Sequence, residues 1–124
     1  MAPRGGPQGG WEEIGLDDLS VAVHATSLAL VELSALASLF NRLLKPKRAV
    51  LADRFAGSVP LFRCSVSGAE PECAAWRITG LPGFVLFRQG RPARRWLGEV
   101  HASLLIRGIE AALEDTASVR GVAQ

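Results

Sequence analysis

Hydrophobic and polar positions alternate along this chain in two distinct rhythms. Leu28-Ala-Leu-Val-Glu-Leu33 is an apolar run of strand length bounded by serines, the pattern of a strand covered on both faces. Val59–Val66 is a second such run, with Pro60 near its start, where a missing donor is tolerated. Between them, Leu39, Phe40, Leu43, Leu44, Val50, Leu51 and Phe55 recur at steps of three and four. This spacing predicts one helix over Ser38–Phe55, bent at Pro46 and stopped by Gly57. Upstream, Trp11–Ile14 reads as a short edge strand. Asp17 or Asp18 can cap a helix over Leu19–Ala25.

The second half has its own punctuation. Glu70–Trp76 reads as a short helix leading to the Gly80-Leu81-Pro82 turn. A proline just before a strand, with glycine two residues ahead of it, fits a cis X–Pro bond in a tight turn. Phe84–Arg88 and Arg94–Gly98 then pair as a hairpin reversed at Gln89-Gly90. His101–Asp115 closes the domain, with Leu104, Leu105, Ile109, Ala112 and Leu113 expected to face the sheet.

Taken together, Arg77–Gly90 and the elements around it resemble the thioredoxin-like superfamily over about Ile14–Leu113. In that family a cis proline precedes a hydrophobic strand, a glycine turn, a further strand and a last helix. The resemblance implies an α/β fold with a mixed sheet of four or five strands and helices on both faces. It places Glu32 on the family's buried carboxylate, Pro46 on its helix proline and Gly98 beside the active-site groove. The four positions of the Cys-x-x-Cys motif fall on Ser38-Leu39-Phe40-Asn41, and the preceding tryptophan on Ala37. With both sulfurs missing there, thiol–disulfide exchange at that place has neither an attacking nor a resolving thiolate.

Composition narrows the rest. The chain has 124 residues, 48% of them hydrophobic, with a mean hydropathy of +0.20, which suits one domain with one core. The expected organisation is a disordered leader over 1–10, a domain over 11–115 and a frayed tail over 116–124. MAPRGGPQGG has no apolar core and is not a secretory signal. Val21–Phe40 is long and apolar enough to be weighed as a membrane span. His24, several serines and Glu32 count against it, a mid-bilayer carboxylate costing about 2.5–3.5 kcal/mol. The cytoplasm is the default location. A net charge of +2 argues only weakly for an anionic partner.

The remaining candidates are weighed residue by residue. Glu32 and Arg63 lie on neighbouring strands in this register and are expected to form a structural buried ion pair rather than a catalytic one. Leu39, Phe40, Val66, Leu81 and Pro82, with Gly80 and Gly98, are expected to rim the old active-site groove. In the family, the backbone of the residue before the cis proline pairs with an extended peptide, a place Leu81 inherits. Cys64 reads as a small buried hydrophobe. Cys73 is expected to be more exposed, and their spacing suits neither a Cys-x-x-Cys motif nor a zinc site. Arg77, Arg88, Arg91, Arg94 and Arg95 lack an aromatic platform for nucleic acid and read as edge-strand charge. His24 and His101 are isolated. The expected function is a redox-inactive module that binds or assembles a polypeptide in the degenerate groove, with no cofactor and no metal. An oxidoreductase or redox sensor working through Cys73 or Cys64 is the competing reading. A homodimer through the same apolar patch is a third.

Overall fold

The computed structural model describes residues 7–8, 10–35 and 40–122, with side chains for 10–35 and 42–115. A six-stranded mixed sheet in the order β1-β2-β4-β3-β5-β6 forms its centre. The strands are β1 (Pro7–Gln8), β2 (Trp11–Glu13), β3 (Leu28–Ser34), β4 (Leu61–Ser65), β5 (Gly83–Arg88) and β6 (Arg91–Leu97). The helices are α1 (Leu16–His24), α2 (Phe40–Leu43), α3 (Lys45–Phe55), α4 (Pro71–Ala75) and α5 (Ala102–Val122). β3 runs parallel to β4 and antiparallel to β5, at the middle of the sheet. Every residue of β3 is buried, as its unbroken apolar run requires.

Strand alternation divides the core into two layers. Leu28, Leu30, Leu61, Phe84 and Leu86 point to one face, where Leu44, Leu51 and Phe55 meet Leu105, Ile109 and Ala112 of α5. Ala29, Val31, Leu33, Phe62, Cys64, Val85 and Phe87 point to the other, under Leu19, Ala22 and Val23 of α1 and Cys73 of α4. Each fully buried Leu, Val or Phe contributes about 1.5–3 kcal/mol of transfer free energy, so both layers stabilise the sheet.

Four local expectations are revised. The expected edge strand has a neighbour, because Pro7–Gln8 pairs antiparallel with Trp11–Glu12. Gly15, not Asp17 or Asp18, caps α1, and the two aspartates sit in its first turn. The helix expected over Ser38–Phe55 is two helices. Pro46 has no N–H to give and its ring would crowd a carbonyl four residues back, so α3 restarts with Pro46 in its first turn. α5 continues to Val122 instead of ending at Asp115, and Leu104 is exposed while Leu105, Ile109 and Ala112 are buried.

The hairpin turn is as expected. Gln89 and Gly90 both have positive φ, 54° and 81°, the backbone of a type I′ turn. A side chain at Gly90 would overlap the His24 ring as well. The apolar stretch Val21–Phe40 divides between α1 and β3, with Phe40 opening α2. Among the described residues no helix is long and apolar enough to cross a membrane.

Candidate functional site

The Gly80-Leu81-Pro82 turn is positioned from both sides. Past the end of α4 at Ala75, Arg77 turns the chain with a φ of 60°, and the Ile78 N–H donates back to the Cys73 carbonyl at 2.7 Å. The Leu81–Pro82 bond is cis. Beyond it, the Gly98 N–H donates to the Pro82 carbonyl at 2.8 Å and joins the turn to the end of β6. Leu81 itself lies outside the sheet ladders, and its N–H and C=O have no backbone partner among the described residues. Its half-buried side chain packs on the layer that holds Cys64, Val66 and Cys73. Gly68 borders this contact with a φ of 100°, a conformation that favours glycine, while a β-carbon there would make only ordinary contact with Leu81 Cδ1 at 3.7 Å.

Beside Pro82 opens a cavity of about 350 Å³, lined by Leu43, Leu44, Lys47, Pro82, Glu99, Val100, His101 and Ala102. Only Pro82 of this lining was among the expected rim residues. Val66 belongs instead to the core beneath Leu81, being 5% exposed. Gly80 is exposed and Gly98 lies at the hinge with Pro82. Ser38 and Leu39 fall outside the described residues, as do the side chains of Phe40 and Asn41. Sequence reasoning missed Leu43, Lys47, Val100 and His101. Leu43 was assigned to the buried stripe, but the break at Leu44 rotates it outward, leaving it 63% exposed.

Beneath this region lies a charged pair of a different character from the one expected. Glu32 shares the alternation of Leu28 and Leu30, so it points at α3 and is completely buried. Arg48 Nε and Nη2 donate to its two carboxylate oxygens, each at 2.7 Å, a bidentate fork. Ser34 Oγ donates to Glu32 Oε2 at 3.2 Å. The Trp11 indole N–H donates to the Arg48 carbonyl at 2.9 Å, holding the helix end of the pair. Arg63 lies opposite Glu32 in the ladder as predicted. Its Nε stays at ion-pair range, 3.9 Å, beyond hydrogen-bond reach, while Nη1 leans toward Glu13 at 3.7 Å. The hydrogen-bonded partner is therefore Arg48, not Arg63. The signal was available: Arg48 falls between Leu44 and Leu51 on the stripe that α3 buries.

Both cysteines are free and buried, which corrects the exposed position expected for Cys73. Burial pushes the Cys64 thiol up to about 11, with the nearby Cys73 and the carboxylates of Glu70 and Glu72 adding to it. Burial also raises Cys73, reinforced by Glu70, whose Oε1 accepts from its Sγ at 3.7 Å. Glu70 in turn receives the Ser67 and Gly68 N–H groups at 2.8 and 2.9 Å. Those backbone donors, Ser67 first, hold its carboxyl down at about 2.

The hairpin arginines are largely occupied by the fold. Arg95 Nε donates to the Trp76 carbonyl, Arg88 Nη2 donates to the Ala112 carbonyl, and Arg94 stacks over the Trp96 ring. His24 Nδ1 contacts the Ser20 carbonyl one turn back. Among the described residues no three His, Cys, Asp or Glu side chains group as metal ligands.

No protein-family model matches the sequence, and a search of curated proteins finds no match. Solved structures do match. A point mutant of thioredoxin from Halobacterium salinarum NRC-1 superposes with a TM-score of 0.67 at 19% identity, over 81% of this chain and 89% of its own. Thioredoxin f2, from its complex with ferredoxin:thioredoxin reductase, gives 0.69 at 19% identity, over 84% and 96%. Mitochondrial thioredoxin 3 from Saccharomyces cerevisiae, in its oxidized form, gives 0.69 at 16% identity, over 84% and 99%. The chain has the thioredoxin fold.

Proposed function

We propose that this domain binds an extended polypeptide beside the Leu81–Pro82 bond and serves as a redox-inactive binding or assembly module. The observation that carries this reading is the pairing of a turn outside the sheet ladders with a pocket. Among the described residues Leu81 leaves its peptide N–H and C=O without backbone partners, next to a cavity of about 350 Å³ able to take a side chain. Main-chain pairing supplies affinity in such additions and side-chain pockets supply selectivity.

The chemistry of the neighbouring residues favours binding over electron transfer. Ser38 and Asn41 occupy the positions that the resemblance assigns to the redox cysteines. Glu32 is held by Arg48 in a closed fork, which satisfies the carboxylate without a thiol to serve. The two thiols present are buried and raised, which suppresses the thiolate that exchange requires.

The test is affinity capture from the native host with the wild-type domain and the Leu81→Asp variant. Partners retained by the wild type are expected to be lost by the variant while its circular dichroism is unchanged. An identical set of partners on both baits refutes the groove. An insulin-reduction assay with the wild type and a cysteine-free variant separates the competing class. Turnover that disappears with the thiols establishes an oxidoreductase instead.

A further inference from the structure

β6 is an outer strand of the sheet, and its far side has no strand partner among the described residues. The Gly98 N–H donates to the Pro82 carbonyl, and antiparallel pairing alternates from there. Trp96 therefore turns its peptide groups toward Phe84 of β5, while Arg95 and Leu97 turn theirs outward. Nearer the hairpin turn the edge is spoiled by Pro92 and by Ala93, the extra residue where the register shifts. The stretch open to pairing is Arg94–Leu97. Its charge is of one sign. Arg91, Arg94 and Arg95 are exposed, and β6 holds no carboxylate. Arg95 Nε donates to the carbonyl that Trp76 shares in a peptide bond with the exposed Arg77. Arg94 is held over the Trp96 ring, 5.2 Å from its centroid. Neither contact neutralises a guanidinium, and among the described residues Arg77, Arg91, Arg94 and Arg95 have no ion-pair partner. Glu99, past the end of the strand, lines the pocket beside Pro82.

We infer that this edge accepts an added strand from an extended, acidic polypeptide. The site goes beyond the groove reading and does not depend on it. The incoming backbone pairs with the outward peptide groups of Arg95 and Leu97, the general mode of strand addition. Neighbouring side chains of a strand leave opposite faces, so its carboxylates meet Arg94 on one face of the sheet and Arg95 with Arg77 on the other. A second copy of this chain is the poorer occupant. Pairing β6 with itself sets arginines against arginines, and like charges across a ladder destabilise it. The charge that guards this edge against self-association thus selects a strand of opposite sign. A nucleic acid matches the charge but brings no strand backbone, and the outward N–H and C=O groups favour the polypeptide.

Fluorescence anisotropy with three labelled peptides tests this on the whole chain. One intersperses Glu and Asp with Val, one intersperses Lys and Arg with Val, and the third is the acidic peptide N-methylated at successive central nitrogens, which blocks strand pairing and keeps the charge. The acidic peptide is expected to bind at least about tenfold more tightly than either of the others. Arg94→Glu with Arg95→Glu should abolish that preference, with circular dichroism checking the fold; the peptide comparison on the wild type needs no variant. Equal binding of the acidic and N-methylated peptides overturns strand addition. So does displacement of the acidic peptide by single-stranded DNA at matched concentration, which would mark a surface for polyanions. Binding that is lost in Leu81→Asp and kept in the arginine variant puts the peptide in the groove and overturns the edge. Binding of none of the three overturns the inference, and the capture experiment judges the groove separately.

Discussion

Two regions of this molecule hold polar groups that the fold must account for, and they solve the problem in opposite ways. Around Glu32 the solution is closed. The carboxylate is buried, and Arg48, Ser34 and Trp11 tie strand, helix and edge together through it. Around Leu81 the solution is open. The turn is fastened at Ile78 and Gly98, but among the described residues the Leu81 peptide groups have no backbone partner. In the closed region, polar contacts specify which helix face meets the sheet. In the open region, the proposed reading is that polar groups are held in place for a partner. Stability and recognition should therefore separate cleanly under mutation.

The largest effect is expected in the closed region. Glu32→Ala strands Arg48 in the core and should cost about 3–5 kcal/mol in urea unfolding. Arg48→Met leaves Glu32 with the Ser34 hydroxyl at 3.2 Å and Arg63 at 3.9 Å, and should also destabilise. The double variant Glu32→Leu with Arg48→Met should recover most of the loss, because a packed apolar pair often matches a buried ion pair. Additive losses in the double variant would show that the two residues do not act as a unit.

Leu81→Asp is the mirror experiment in the open region. Its side chain is half-buried, so the expected stability loss is about 1 kcal/mol, against complete loss of partner capture. If Leu81→Asp unfolds the domain, or if Arg48→Met removes binding without loss of stability, the comparison fails.

The contrast also explains what could be read in advance. Periodicity exposes β3, β4 and the last helix, because burying an apolar stripe is what those segments do. Gln89-Gly90 and Gly80-Leu81-Pro82 were legible because few backbone conformations suit those residues. Arg48 was not, since a charge inside a hydrophobic stripe looks like an interruption until its partner is known. The ladder set Glu32 opposite Arg63 correctly, yet a register fixes where a strand residue starts and not where a long side chain ends. Val100 and His101 come from the turn before α5, where no period exists to be read. Leu43 was misplaced because the proline ended one helix and began another.

Beneath the open turn, the thiols offer a sharper test. The Cys64 thiol is raised from its ordinary 9.0 to about 11, so the native state favours its protonated form. That contribution is fully present below pH 9 and is lost as pH rises toward 11. Urea midpoints measured across this window should fall in the wild type and fall less in Cys64→Ala. Thiol labelling at pH 8 should be slow in the native domain and fast after unfolding. Fast native labelling would mean that the layer under Leu81 opens readily, and would restore the thiol-based reading.

The smallest expected effect concerns Glu70, which holds the Ser67–Gly68 bend under Leu81 from the solvent side. Its carboxyl is lowered to about 2 by the backbone donors that it receives, Ser67 first. A lowered carboxyl contributes stability that is present above its unfolded value near 4.5 and lost as pH falls toward 2. The group is exposed, so the change in global stability should be slight. The local consequence is more telling, because protonation releases the N–H groups of Ser67 and Gly68. Amide exchange at these two positions should accelerate below pH 4 relative to the acid-dependent intrinsic rate, and Glu70→Gln should show the faster exchange already at pH 6. If both amides stay protected in Glu70→Gln, the bend is held by Gly68 and the Leu81 contact instead. The open turn would then owe its shape to packing, as the closed region owes its own to charge.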